Sequence, residues 1–452
     1  MLDLTATALD AASLPLASNL AAADPGGAAR LLDAAQAILL DLAAGRAVDT
    51  GAIRAAMQRA FGGSDAHGAW RWKDSYEACE AAEVLFLRRF GPAMRAKPAA
   101  TQLAMLAKVA ALVPSQTRRS EESQALQQFS APIGLGLVAA RAAALAASDL
   151  ALEPSAGTGL LAIFAELAGA SLILNELGGT RADLLAHLFP AAPVTRQDAA
   201  FIDDHLDPAL RPSVVLMNPP FSAAVNVDGR VADAALRHIG SALARLAEGG
   251  RLVAITGANL SPEAPRWQDA FARLQERGTV VFTAAIDGRV YARHGTTTET
   301  RLTVIDRLPA ADPTRLPASF GLAPDLATLL GWVDAHVPPR QPCTPMHGSA
   351  LPAPCKSASP ALRNGGSKAP AFTPVASDAV LLAYETCDWS PAEGGRISAS
   401  LYEPYALQSL RIAGAQPHPT PLVQSAAMAS VAPTCRRAWL QMACSPTRSS
   451  RP

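Results

Sequence analysis

From Ser148 onward the chain alternates short apolar runs with amphipathic stretches of helical spacing, the pattern of βαβ units on a mostly parallel sheet. The apolar runs fall at residues 150–153, 171–176, 193–197, 213–217, 251–256, 279–285 and 301–306. The last two are joined by a polar stretch holding Asp287-Gly288 and His294-Gly295 but no helical repeat. They are therefore expected to pair as an antiparallel hairpin at one edge. The fold class is predicted as α/β, a doubly wound sheet with a C-terminal antiparallel hairpin, preceded by a small helical domain.

That helical domain is placed at residues 1–120. Leu31-Leu32, Ala35, Ile38-Leu39 and Leu42 recur at helical spacing, and Thr50 precedes a second run through Met57 to Phe61. A third run passes Tyr76, Cys79, Val84 and Leu87, a fourth covers 103–113, and Trp70 and Trp72 are expected to anchor the core. Residues 1–23 carry Asp3 and Asp10 where a signal peptide carries basic residues, so a helical lead-in is expected there. Nine prolines between 338 and 374, with Gly365-Gly366, mark a linker placed at 309–376. A short segment, 377–432, and a disordered tail, 433–452, complete the division.

Composition removes several classes of function. Thirty-nine basic residues balance thirty-nine acidic ones, so any contact with nucleic acid must be a local patch. The six cysteines never form C-x-x-C, which argues against a zinc module or a disulfide framework and makes a reducing cytoplasm the expected location. No uninterrupted apolar stretch is long enough to span a membrane, and the eight histidines do not cluster at metal-ligand spacing. His187, His205 and His238 are expected on surfaces or loops.

The chemistry concentrates at the carboxyl ends of the strands. Glu153-Pro154-Ser155-Ala156-Gly157-Thr158-Gly159 lies between the first strand and a helix, and its glycines let backbone approach a ligand closely near a helix N-terminus that favours negative charge. The same loop is also compatible with a plain tight turn. No Gly-Lys-Ser/Thr follows, so it is not a nucleoside triphosphate loop. Glu176 stands 17 residues beyond Gly159, near the spacing at which an acid meets ribose hydroxyls; a solvated strand-end carboxylate is the other reading. Asp198 follows the third strand on the same edge. After the fourth come Asn218-Pro219-Pro220-Phe221: an amide and a proline-fixed carbonyl give two acceptors, and the ring gives a stacking surface. That set suits a planar exocyclic amine, whose two hydrogens can be drawn toward tetrahedral geometry.

These residues, in this order, resemble S-adenosylmethionine-dependent amino-methyltransferases of the N6-adenine type, and Gln127-Gln128-Phe129-Ser130-Ala131-Pro132 resembles the element that precedes their Gly loop. Ala131 stands where that family usually has threonine. The resemblance covers about residues 121–306, implies a Rossmann-like methyltransferase domain at 121–308, and implies S-adenosylmethionine as cofactor. It places Phe129, Glu153, Pro154, Gly157, Gly159, Glu176 and Asp198 around that cofactor, with Glu176 on its ribose and Asp198 on its adenine amine. Asn218 and Pro219 would hold the target amine, and Pro220 and Phe221 would meet the base.

Residues 118–126, Tyr402-Glu403-Pro404-Tyr405 and 415–420 resemble bacterial methylase/helicase fusions of the strawberry-notch type. No phosphate-binding helicase loop occurs in the chain, so a helicase module is expected to be separately encoded, and the change into Cys435-Arg436-Arg437 suggests a frame change near Pro433. The expected partner is nucleic acid, DNA first, with no membrane and no metal. Guanine in RNA, glutamine in protein, and a non-catalytic cofactor-binding remnant are the alternatives.

Overall fold

Five strands run parallel: β1 (Leu150–Glu153), β2 (Ser171–Asn175), β3 (Val194–Thr195), β4 (Val214–Met217) and β5 (Arg251–Gly257). With β6 (Thr279–Ile286), β7 (Thr300–Asp306) and β8 (Leu322–Ala323) they form one sheet in the order β3-β2-β1-β4-β5-β7-β6-β8. This is the doubly wound arrangement expected, and β6 and β7 are the expected antiparallel pair. The edge differs from expectation. β7 slots between β5 and β6, antiparallel to both, and β8 adds in parallel outside β6, so the hairpin is built into the sheet. The polar connection between the pair is a 3-10 turn, Gly288–His294, capped by the Asp287 carboxylate on the Arg289 N–H.

The computed structural model describes residues 26–117, 129–220, 234–343, 345–346 and 377–386. The expected lead-in at 1–23, residues 118–128, residues 344 and 347–376 of the expected linker, the segment beyond 386, the tail and Phe221 lie outside the described residues. All described residues belong to one compact unit, 1–397.

Both faces of the central strands are apolar, as strands covered by helices on each side require. Leu150, Leu152, Ile173, Val215 and Leu252 point into one cluster, and Ala151, Leu174, Val214, Leu216 and Val253 into the other, the period-two alternation of a pleated strand. The second cluster continues into α1 (Gly27–Ala43), α2 (Thr50–Phe61), α3 (Trp72–Met94), α4 (Ala99–Leu112) and α5 (Ile133–Ala143). The four helical runs read from the sequence are thus four helices packed over one face of the sheet. Asp49 caps α2 through the Ala52 N–H at 2.8 Å. Trp70 is buried, and Trp72 meets it edge-to-face at 5.6 Å while donating to Asp65.

The stretch 309–343 is folded where the sequence suggested a linker: it carries β8 and α11 (Leu326–His336), whose first turn is capped by Asp325, and proline crowds only from 338. Residues 338–340 then cross the amino-terminal edge of the sheet. Arg340 pairs with both Asp149 oxygens at 2.7 Å and donates to the Ser213 carbonyl, while Arg251 is bidentate on Asp306 and donates to the Pro338 carbonyl. At the other end of the described chain, α12 (Ser377–Thr386) docks on the helical layer through Tyr384, which meets Phe86 edge-to-face and donates to the Leu42 carbonyl. No helix among the described residues is long and apolar enough to cross a membrane.

Candidate active site

β1 sits between β2 and β4, so the connections leaving β1 and β4 diverge over opposite faces and open a crevice at the carboxyl edge. The loop after β1 needs glycine twice. Gly157 and Gly159 lie at φ +55° and +88°, and a Cβ on Gly159 would stand 2.3 Å from the Phe189 ring. The helix that follows, α6 (Ala162–Ala168), is only seven residues long. Glu153, at the end of β1, is buried with Oε2 unpartnered. Burial pushes its carboxyl well above the usual range; the Ala162 amide opposes this, and the neighbouring Glu176 adds to it.

Strands β2 and β3 deliver the next two acids. Glu176 accepts the Gly157 N–H and the Gly178 N–H, one on each oxygen at 2.8 Å. It is buried against the loop, so the solvated strand-end reading fails. Asp198 is exposed at the rim, where Oδ1 accepts from the Ala200 N–H. Between them lies a residue the sequence analysis passed over. Asn175 is fully buried, its Nδ2 donates to the carbonyls of Pro154 and Gln197, and its Oδ1 accepts from Thr195 Oγ1 and the Gln197 N–H. One amide thereby joins the ends of β1, β2 and β3.

Asn218 leaves β4 half-buried, followed by buried Pro219 and half-buried Pro220. Its Nδ2 donates to the Phe129 carbonyl at 2.8 Å, which fixes the orientation of the amide because a carbonyl can only accept. Oδ1 is buried and accepts no hydrogen bond from the described residues. Phe129 and Ala131 line the same crevice, and the Ala131 methyl presents no donor or acceptor there. His238 corrects an expectation. His187 and His205 are exposed, but His238 is buried in α9 (Ala234–Arg245) against the pocket, and burial holds its imidazole below the ordinary range despite the nearby Asp198.

Behind the loop, α3 brings three buried acids spaced three apart, Glu77, Glu80 and Glu83. Glu77 pairs with Lys73 and Arg181, each at 2.7 Å, and these cations hold it below the usual range against its burial. Glu80 accepts from Thr158 and Ser130 on Oε2 and from Gln116 on Oε1. The i, i+3, i+6 spacing of acids in an otherwise apolar run was the available signal, since such groups are buried only when paired.

The strand-end loops from Glu153, Glu176, Asp198 and Asn218, with Phe129 and His238, enclose about 310 Å3, at the lower end of small-ligand pockets. Glu176 and Asp198 give the pocket two carboxylates that can meet a cationic ligand, Arg181 and Arg237 also stand in its lining, and the Gly loop admits close approach. Among the described residues, no group of three or more His, Cys, Asp or Glu side chains is arranged to hold a metal ion.

No protein-family model matches the chain, and no curated protein matches it. Solved structures do. A Listeria monocytogenes protein assigned to the class I S-adenosylmethionine-dependent methyltransferases is 12% identical over 68% of this chain and 97% of that one, with a TM-score of 0.40. A Vibrio vulnificus YJ016 protein assigned as a modification subunit of a type I restriction enzyme is 15% identical over 46% and 53%, with a TM-score of 0.34. The Thermus thermophilus 16S rRNA N2 methyltransferase, solved with AdoMet and guanosine, is 19% identical over 39% and 43%, with a TM-score of 0.28. This chain spans about half the length of the Vibrio protein. These are similarities of outline; function is argued from the pocket residues.

Proposed function

We propose that the chain is an S-adenosylmethionine-dependent N-methyltransferase acting on the exocyclic amine of a nucleobase, N6 of adenine in DNA. One observation carries this reading. The Phe129 carbonyl turns the Asn218 amide so that Oδ1, buried and without a partner among the described residues, remains for a donor on the substrate. An amine conjugated to a heteroaromatic ring is flat and weakly nucleophilic. Asn218 Oδ1 and the main-chain carbonyl of Pro219 are the two acceptors that draw its hydrogens out of plane and return the lone pair to nitrogen.

Bound S-adenosylmethionine supplies an electrophilic methyl on a sulfonium leaving group. The Glu176 and Asp198 carboxylates and the loop fit that cation. Glu176 has lone pairs left beyond its two backbone bonds and is the acceptor for ribose hydroxyls; Asp198 is the acceptor for the adenine amine. Glu153, Pro154, Gly157 and Phe129 form the remaining walls, and Gly159 carries the turn behind them. Adenine is favoured over guanine or glutamine by the resemblance of the segment through Phe129-Ser130-Ala131-Pro132. A base in duplex DNA must be extruded to reach Asn218, so single-stranded DNA is an equal form of the substrate. A separately encoded helicase, suggested by the strawberry-notch resemblance, is the partner that would expose it.

The test is transfer of radiolabelled methyl to double-stranded DNA, single-stranded DNA, RNA and lysate protein, with digestion to identify the product. Label in N6-methyladenine that falls by on the order of 100-fold in Asn218→Ala is expected. Label in RNA guanine or protein glutamine reassigns the substrate. Cofactor binding without any transfer makes the chain a non-catalytic remnant, and absence of cofactor binding sinks the reading.

A further inference from the structure

Glu80 does not line the pocket, yet it holds two of the pocket's segments at once. Its carboxylate is buried in α3, and three donors converge on it from other parts of the chain: Ser130 Oγ and Thr158 Oγ1 at 2.8 Å on Oε2, and Gln116 Nε2 at 2.6 Å on Oε1. Arg181 stands 3.9 Å from Oε2. A buried carboxylate is tolerated only when its lone pairs are filled, and charge-assisted bonds of this kind are the stronger sort. The partners lie 36, 50 and 78 residues away in sequence, so the contact closes long loops onto α3.

The geometry of one peptide unit links this hub to Asn218. The Phe129 carbonyl and the Ser130 Cα belong to the same planar group. Anchoring the Ser130 side chain therefore sets the direction of the carbonyl that receives Asn218 Nδ2. On the other arm, Thr158 lies between Gly157 and Gly159, so its bond to Glu80 sets the loop. We propose that Glu80 is a positioning residue for the transfer reaction: through Ser130 it aims the Asn218 amide at the substrate amine, and through Thr158 it shapes the cofactor loop. This rests on the function proposed above. It assigns to the N-terminal helical layer a part in catalysis beyond covering the sheet.

The two arms separate experimentally. Ser130→Ala is expected to lower kcat about tenfold at saturating cofactor while leaving the dissociation constant for S-adenosylmethionine within about twofold. Thr158→Val is expected to raise that constant about tenfold. Glu80→Ala is expected to do both. Glu80→Gln keeps the shape and one oxygen for the two hydroxyls, and Gln116 can turn its own amide to match, so it should recover most of the activity. A general loss of stability would move all three truncations alike and would not be rescued in this split fashion.

Folded Ser130→Ala and Thr158→Val proteins with wild-type kcat and wild-type cofactor binding overturn the proposal. A wild type that binds no S-adenosylmethionine overturns the function and this inference together. A wild type that binds it but transfers to none of the four substrates overturns the function and the Ser130 arm with it, and calorimetry of binding then decides the Thr158 arm. Weakening by Thr158→Val and Glu80→Ala but not Ser130→Ala is required, and equal weakening by all three removes the proposal.

Discussion

Two asparagines stand at the carboxyl edge of the sheet and use the same amide in opposite ways. Asn175, ending β2, has both donors and both acceptor positions engaged by Pro154, Gln197 and Thr195. Asn218, just past β4, spends one donor on Phe129 and keeps a buried oxygen without a partner among the described residues. A saturated amide is a fastener, because removing it strands several buried groups. An amide with an open acceptor is unfinished until a ligand arrives, and folding alone gives no reason to bury it. The side of the crevice that fixes shape and the side that does chemistry can thus be told apart by their unused valences.

The contrast breaks if the two alanine variants behave alike. Asn218→Ala should give the largest effect, a fall in methyl transfer of 100-fold or more, with a melting temperature within about 2 °C of wild type. Asn175→Ala should do the reverse, losing about 3 kcal/mol in urea unfolding because the Pro154, Gln197 and Thr195 groups it held are left buried.

The acids on α3 allow a pH test of the layer behind the crevice. Burial, with Glu80 adding and Arg293 opposing, pushes the Glu83 carboxyl up to about 8 from an ordinary 4.5. The fold therefore favours the protonated acid. Stability from this group is full below about pH 4.5 and fades as pH rises through about 8. Measured against Glu83→Gln, the wild type should lose a few kcal/mol across that window; parallel curves would show that Glu83 ionises as it does in the unfolded chain. The smallest expected effect is at the loop. Gly159→Ala should destabilise by about 2 kcal/mol, part of it steric, and Phe189→Leu should restore only that part because φ stays positive.

What the sequence discloses follows from how far each signal reaches along the chain. Strand positions, the Gly loop and Asn218-Pro219 are local patterns, and the structure places them within a few residues of expectation. Asn175 gives no such sign, since its partners lie on two other connections and its neighbours read as an ordinary strand. Glu80 gives only its spacing with Glu77 and Glu83 in an apolar run, and nothing local names the three distant donors that meet it. The insertion of β7 between β5 and β6 is likewise a choice among pairings that alternation alone cannot make. His238 misleads for a plainer reason: a lone histidine reads as a surface residue, although helical spacing sets it on the buried side with Ala234, Ala235 and Ala242.

The clasp at the amino-terminal edge bears on how the protein is made. Asp149 precedes β1, yet its cationic partner, Arg340, is synthesised 191 residues later. Until that arginine has left the ribosome, the buried carboxylate has only Ser213 and the Ala146 amide for company. A nascent chain that has already paired its parallel strands is therefore held short of its final stability until residue 340 is added.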